Sequence, residues 1–221
     1  MILRKILLTL AAPTLLIAMA TEVQADTITI SGANSGNYST ATVVLEFNAQ
    51  TNTLTFTGTN TSAITQPGST STITAFGFDL PPVGNASASG LNGFTGQQAP
   101  SLSANFSFSD ADLGPVWPSL VLDFGFLTGS TFQSGSVNDG LLPGESASFT
   151  VSGAAFTGFT EAQLAAALVA GFQNVPMAAG SGGFDVAGAS VTATAPEPAS
   201  MLLLGMGLLG AGVRRWRQKR G

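Results

Sequence analysis

Apolar side chains recur at every second position in several short runs of this chain, and a period of two fits strands with one buried face rather than helices. In "LSANFSFS", Leu102, Ala104, Phe106 and Phe108 fall on one side, with Ser103, Asn105, Ser107 and Ser109 on the other. "SLVLDFGF" gathers Leu120, Leu122, Phe124 and Phe126, and "ESASFTVSG" sets Ala147, Phe149 and Val151 against Ser146, Ser148 and Thr150. "DTITIS", "TATVVLEFN", "NTLTFTG", "STITAFGFDL" and "GASVTATA" carry the same β-branched and aromatic signal. Gly, Pro, Asn and Asp cluster between them, as in "PPVGNASASGLNG" and "NDGLLPGE", where turns are needed. This pattern predicts an all-β body over residues 26–194, an antiparallel β-sandwich of jelly-roll-like build. One short helix is expected across an end or edge of it. Thr160 and Gln163 have capping-box spacing ahead of "EAQLAAALVAGF", and Gly171 is placed to stop the segment.

Charge narrows what such a body can bind. The chain has 221 residues and a formal net charge of -5, but its basic residues sit only at the ends. Arg4 and Lys5 open it, Arg214, Arg215, Arg217, Lys219 and Arg220 close it, and Asp26 to Ala195 contains no Lys, Arg or His. A body with carboxylates and no cations is a poor partner for nucleic acid, whose phosphates need positive charge. With no Cys or His, the usual nitrogen and sulfur ligands of zinc or copper are missing, and only a hard, oxygen-seeking ion such as calcium remains open.

Both ends read as addresses. Arg4 and Lys5 precede an apolar run from Ile6 to Ala20, and Val23-Gln24-Ala25 offers small residues before Asp26. Residues 1–25 therefore read as a secretory signal peptide, cut by signal peptidase between Ala25 and Asp26. At the other end, the uncharged run Ala199–Val213 reaches about 22 Å as a helix, short of the ~30 Å hydrocarbon core. Snorkelling Arg214 and Arg215 and interfacial Trp216 would let it cross. The positive-inside rule then keeps the basic cluster cytoplasmic and the body outside.

Pro196-Glu197-Pro198, then a Gly- and Leu-rich span, then the Arg-rich end including Arg214, Arg215 and Arg217, resembles the PEP-CTERM sorting signal. The resemblance covers residues 195–221. It implies a motif, a short transmembrane helix and a basic tail read by an exosortase, a membrane-embedded transpeptidase-like cysteine protease. That enzyme would cut near the motif in a Gram-negative host that makes exopolysaccharide and biofilm. The two prolines suit this, because they hold the segment extended at the membrane face. The low-charge body, including "GLLPGESASFTVSG", is loosely similar to the β-rich ectodomains that such signals follow.

Within the body, chemistry has few candidates. Ser-His-Asp and Cys-His sets are excluded by composition, and a Ser-Lys pair by the missing Lys. Paired carboxylates, Asp110 with Asp112 or Asp123 with Glu145, are the remaining route to a hydrolase. No nucleophile, base and electrophile set can be filled from them, so no enzyme and no catalytic residue is expected. In "SDADLG", Asp110 and Asp112 could ligate calcium or close a turn as solvated acids, and Trp117 could stack on a sugar or anchor the core. No cofactor and no metal site is otherwise expected. Asn37, Asn60, Asn85 and Asn105 head Asn-X-Ser/Thr triplets, which a chain this rich in Ser, Thr and Asn produces by chance.

These readings converge on an exported protein that touches the inner membrane in transit and works at the cell surface or outside it. Its expected role is structural or adhesive, linked to exopolysaccharide or biofilm. Self-association is also expected, because the body has no edge-guarding lysines. A glycan- or calcium-binding surface module is the alternative. A protein permanently anchored by its C-terminal helix and a carboxylate-dependent hydrolase stand behind these.

Overall fold

A computed structural model of the chain describes residues 25–32, 36–64, 70–81, 93–102, 104–110, 113, 120–175 and 183–191. The chain begins with an antiparallel meander: β1 (Asp26–Gly32), β2 (Gly36–Asn48) and β3 (Thr53–Asn60). β4 (Thr72–Phe78) crosses to a second sheet, β5 (Thr95–Gln98) returns to the first, and β6 (Ser107–Ser109) and β7 (Phe124–Leu127) join β4 in the second. β8 (Ser146–Ser152) fits between β3 and β5, and β9 (Leu168–Val175) pairs with β4. β10 (Gly183–Val191) serves both sheets: Asp185–Gly188 pair with β9, and Ala189–Val191 pair with β1. The order is β5-β8-β3-β2-β1-β10-β9-β4-β7-β6, with every pairing antiparallel. The two open edges, β5 and β6, are short and pack against each other, which leaves little exposed backbone for another chain to extend.

The core follows from the period-two pattern. In the first sheet the inward row of β3, Leu54, Phe56 and Gly58, faces Val151, Phe149 and Ala147 of β8 in register. Their alternates turn outward, where Thr57 meets Ser148 at 2.7 Å and Thr59 meets Ser146 at 2.8 Å. Such cross-strand hydroxyl pairs let an outer face stay soluble without charge. Between the sheets, Phe56 touches Phe76 and Phe78 of β4 and Phe126 of β7. The glycines make room for these rings. A Cβ on Gly58 would lie 2.3 Å from the Phe76 ring, and one on Gly96 would lie 2.2 Å from the Phe108 ring.

Several sequence expectations shift. Among the described residues of "LSANFSFS", strand is kept only at Ser107–Ser109, and Leu102, expected inside, is fully exposed. In "SLVLDFGF" the apolar face divides. Phe124 and Phe126 point into the main core, while Leu122, with Leu120 against it, joins Ala75, Leu113, Leu127, Phe132 and Val169 in a smaller cluster. That cluster covers the other face of the second sheet, so β4 and β7 are buried on both sides. β10 starts before "GASVTATA", and β5 ("TGQQ") lacks the apolar alternation of a strand.

The helix is shorter than its sequence suggests. α1 (Glu161–Ala167) starts with the expected capping box: Gln163 N–H donates to the Thr160 hydroxyl, and Thr160 N–H donates to the Gln163 side chain at 2.9 Å. It stops at Ala167, and "LVAGFQNV" becomes β9. Gly171, expected to end the helix, instead lies in mid-strand, where a Cβ would stand 3.0 Å from the Phe132 ring. A helix of two turns has little stability of its own, so its cap counts. Thr160→Ala should lower stability by about 1 kcal/mol, read as a lower urea midpoint at unchanged slope. An unchanged midpoint would show that packing alone holds α1.

Candidate functional site

The sheet register brings the two export junctions together. β1 starts at Asp26, directly after the expected cut at Ala25, and both residues are half-buried. β10 runs antiparallel beside it, with Ala189 opposite Ile30 and Val191 opposite Ile28. The chain thus leaves β10 at the end of the body where β1 begins, one strand spacing of about 4.8 Å away. α1 packs against β1, β2 and β10.

Glu161, the first residue of α1, is the group that receives the Asp26 junction. Its carboxylate accepts the Phe47 N–H at 2.6 Å and the backbone N–H of Asp26. Burial pushes this carboxyl above its ordinary range; the Phe47 N–H pulls it back, the Asp26 and Glu46 charges push it further up, and the Asp26 N–H opposes them. Sequence reasoning missed Glu161. It reads as a carboxylate placed to favour a helix N-terminus, and nothing local ties it to strands more than a hundred residues earlier.

A second acidic group lies where β4 and β7 end. Asp79 follows Phe78, whose register partner Phe124 follows Asp123. The Asp123 carboxylate accepts Leu80 N–H at 2.8 Å, and Asp79 N–H donates to Ala167 O at 3.0 Å. Burial, with the Asp123 charge second, raises the Asp79 carboxyl. Asp110 follows Ser109, the partner of Gly125, so it leaves β6 at this same end. Asp112 and Trp117 lie outside the described residues, so the "SDADLG" loop and the stacking role are not placed.

The pairing of Asp123 with Glu145 is not what the fold builds. Glu145 O accepts Asn60 N–H, and the Asn60 side chain bonds Ser71 O at the start of β4, whereas Asp123 N–H bonds Phe78 O at its other end. The length of β4, about 20 Å, separates them. Asp79 takes the place of Glu145 beside Asp123. Among the described residues no group of three or more His, Cys, Asp or Glu converges well enough to hold a metal ion. Asp79, Asp110 and Asp123 thus share an end of the sheet without making a calcium cage.

Residues 194–218 match the family model of the PEP-CTERM protein-sorting motif. The chain carries a PEP-CTERM sorting motif. The matched segment contains Pro196, Glu197, Pro198, Arg214, Arg215 and Arg217, and it starts just after Val191, the last described residue of β10. A PEP-CTERM motif implies export and processing by an exosortase. No curated protein and no solved structure matches the chain. The motif residues, the signal peptide up to residue 24 and the expected C-terminal helix lie outside the described residues, and among the described residues no helix is long and apolar enough to cross a membrane.

Proposed function

We propose that this PEP-CTERM protein is a cell-surface or extracellular matrix component with a structural or adhesive role in exopolysaccharide or biofilm. The observation that carries the reading is the sorting motif at residues 194–218, set behind a body that contains no Lys, Arg, His or Cys. Such a body acts by being placed rather than by turnover. Its two sheets are read as a sandwich of jelly-roll-like build, with short edges and a hydroxyl-rich outer face suited to hydrated polysaccharide. Adjacent junctions support the processing route, because a signal peptide before β1 and a sorting helix after β10 would hold one end of the body to the inner membrane. Signal peptidase and exosortase would then release that end in turn, with no lasting membrane anchor.

Intact mass spectrometry of the protein from membrane and secreted fractions of its host tests this. The expected mass is that of a chain starting at Asp26 and ending near Pro196–Pro198. A chain that still ends at Gly221 in every fraction would make the tail a permanent anchor and overturn the surface reading.

A further inference from the structure

We propose that cutting after Ala25 creates the one cation of the body, the α-ammonium of Asp26, and that the Glu161 carboxylate is its built partner. The inference rests on export and cleavage at that bond, and it adds what the cut does to the fold. Hydrolysis adds water across the Ala25–Asp26 peptide bond. Ala25 keeps the new carboxylate and leaves with the leader, and Asp26 keeps the nitrogen as an amine that is protonated at neutral pH.

In the uncut chain that nitrogen is a neutral amide with one N–H, and it already donates to Glu161. After the cut the same atom carries a full charge and three N–H donors. It faces the Glu161 carboxylate from α1, which Phe47 N–H also fixes at 2.6 Å, with the Glu46 carboxylate of β2 and its own Asp26 side chain nearby. β10, the third strand against α1, holds no base, and its one acid, Asp185, is buried opposite Phe172 of β9, away from the Val191 end that lies beside β1. Because no Lys, Arg or His lies between Asp26 and Ala195, no side chain of the body competes for these carboxylates. Before the cut, half-buried Glu161 and Asp26 and exposed Glu46 share this corner with no counter-charge. Afterwards an ion pair ties the first residue of β1 to the helix beside the membrane-facing junction. Maturation is therefore coupled to locking the end of the body from which both export segments leave.

The test is a titration of the α-amine, followed by NMR at Asp26, on the chain Asp26–Gly221 in detergent micelles. The amine should hold its proton about tenfold more tightly than a free α-amine, whose pKa is about 7.7–8.0. Glu161→Gln should bring the affinity back to the ordinary value. A chain that retains Ala25 moves the amine one residue away while keeping every side chain of the body. It too should titrate normally, and it serves as the control if E161Q does not fold. An ordinary amine in the Asp26 chain, or a raised affinity that survives both changes, overturns the pairing. N-terminal sequencing of the host's protein tests the cut separately: a start other than Asp26 overturns the cleavage reading, whereas an ordinary amine on an Asp26 start overturns the ion pair alone.

Discussion

Phe56→Ala should destabilise the body by about 3–5 kcal/mol, the range for truncating a buried aromatic whose cavity cannot collapse. Phe56 is 1% exposed and stands where the two sheets meet. Its ring stacks on Phe149 at 4.8 Å and meets Phe78, Phe76 and Phe126 at 5.4, 5.8 and 5.9 Å, mostly edge to face. Collapse into the space is blocked from both sides. Phe149 is fixed by register opposite Phe56, and the tip of the Phe76 ring sits against Gly58. Such aromatic contacts add about 0.5–1.5 kcal/mol per pair beyond area burial, so the loss belongs at the upper end of the range. Urea denaturation followed by far-UV circular dichroism reads it as a fall in midpoint, and Phe56→Leu should recover more than half of it. A loss below about 1 kcal/mol for the alanine variant would mean that the sheets do not meet at this ring.

Much of the first sheet was legible because one of its faces meets solvent. The Ser and Thr alternates of β1, β3 and β8 mark the outside, so period two shows directly in the letters. The second sheet is buried on both faces, and there the signal fails for a physical reason. In β9, Leu168, Ala170 and Phe172 point to the main core and Val169 to the smaller cluster, so the run reads as uniformly apolar. Four alanines and a capping box ahead of it favour helix locally, and pairing with β4 and β10 overrides that preference after Ala167. The candidate site was hidden by distance. Asp26 was legible as a cleavage product, but its partner is set by how α1 lies across β1 and β2. The sorting motif was legible in full, because a linear address is read by another enzyme and does not depend on folding.

Asn60→Asp should cost about as much as the loss of Phe56, and its cost should depend on pH. Asn60 is the inward residue that ends β3, and it is fully buried. Its amide donates to Ser71 O at 2.8 Å and Leu141 O at 2.7 Å, and its oxygen accepts Ser62 N–H at 3.0 Å. One side chain thus ties the end of β3 to the start of β4 and to the turn before β8. The amide is spent on these bonds, so the Asn60-Thr61-Ser62 triplet is not a modification site in the folded body. An aspartate would turn two donors into acceptors facing two carbonyl oxygens, and the body has no Lys, Arg or His to pair with the charge. The buried carboxyl would therefore keep its proton in the folded state and lose it in the unfolded chain above about pH 3.9. The folded state then binds the extra proton, so stability falls as pH rises through that value, by about 1.4 kcal/mol per pH unit, until the folded group itself ionises. At pH 7 the deficit approaches about 5 kcal/mol, about 4 of it from this proton linkage and about 1 from a lost hydrogen bond. Near pH 4 it shrinks to one lost hydrogen bond, about 1 kcal/mol, because a protonated carboxyl still donates to one carbonyl. Urea midpoints of the wild type and the variant measured from pH 4 to pH 8 give the slope. A difference that stays flat across this range would place Asn60 in water and break the link it makes between the two sheets.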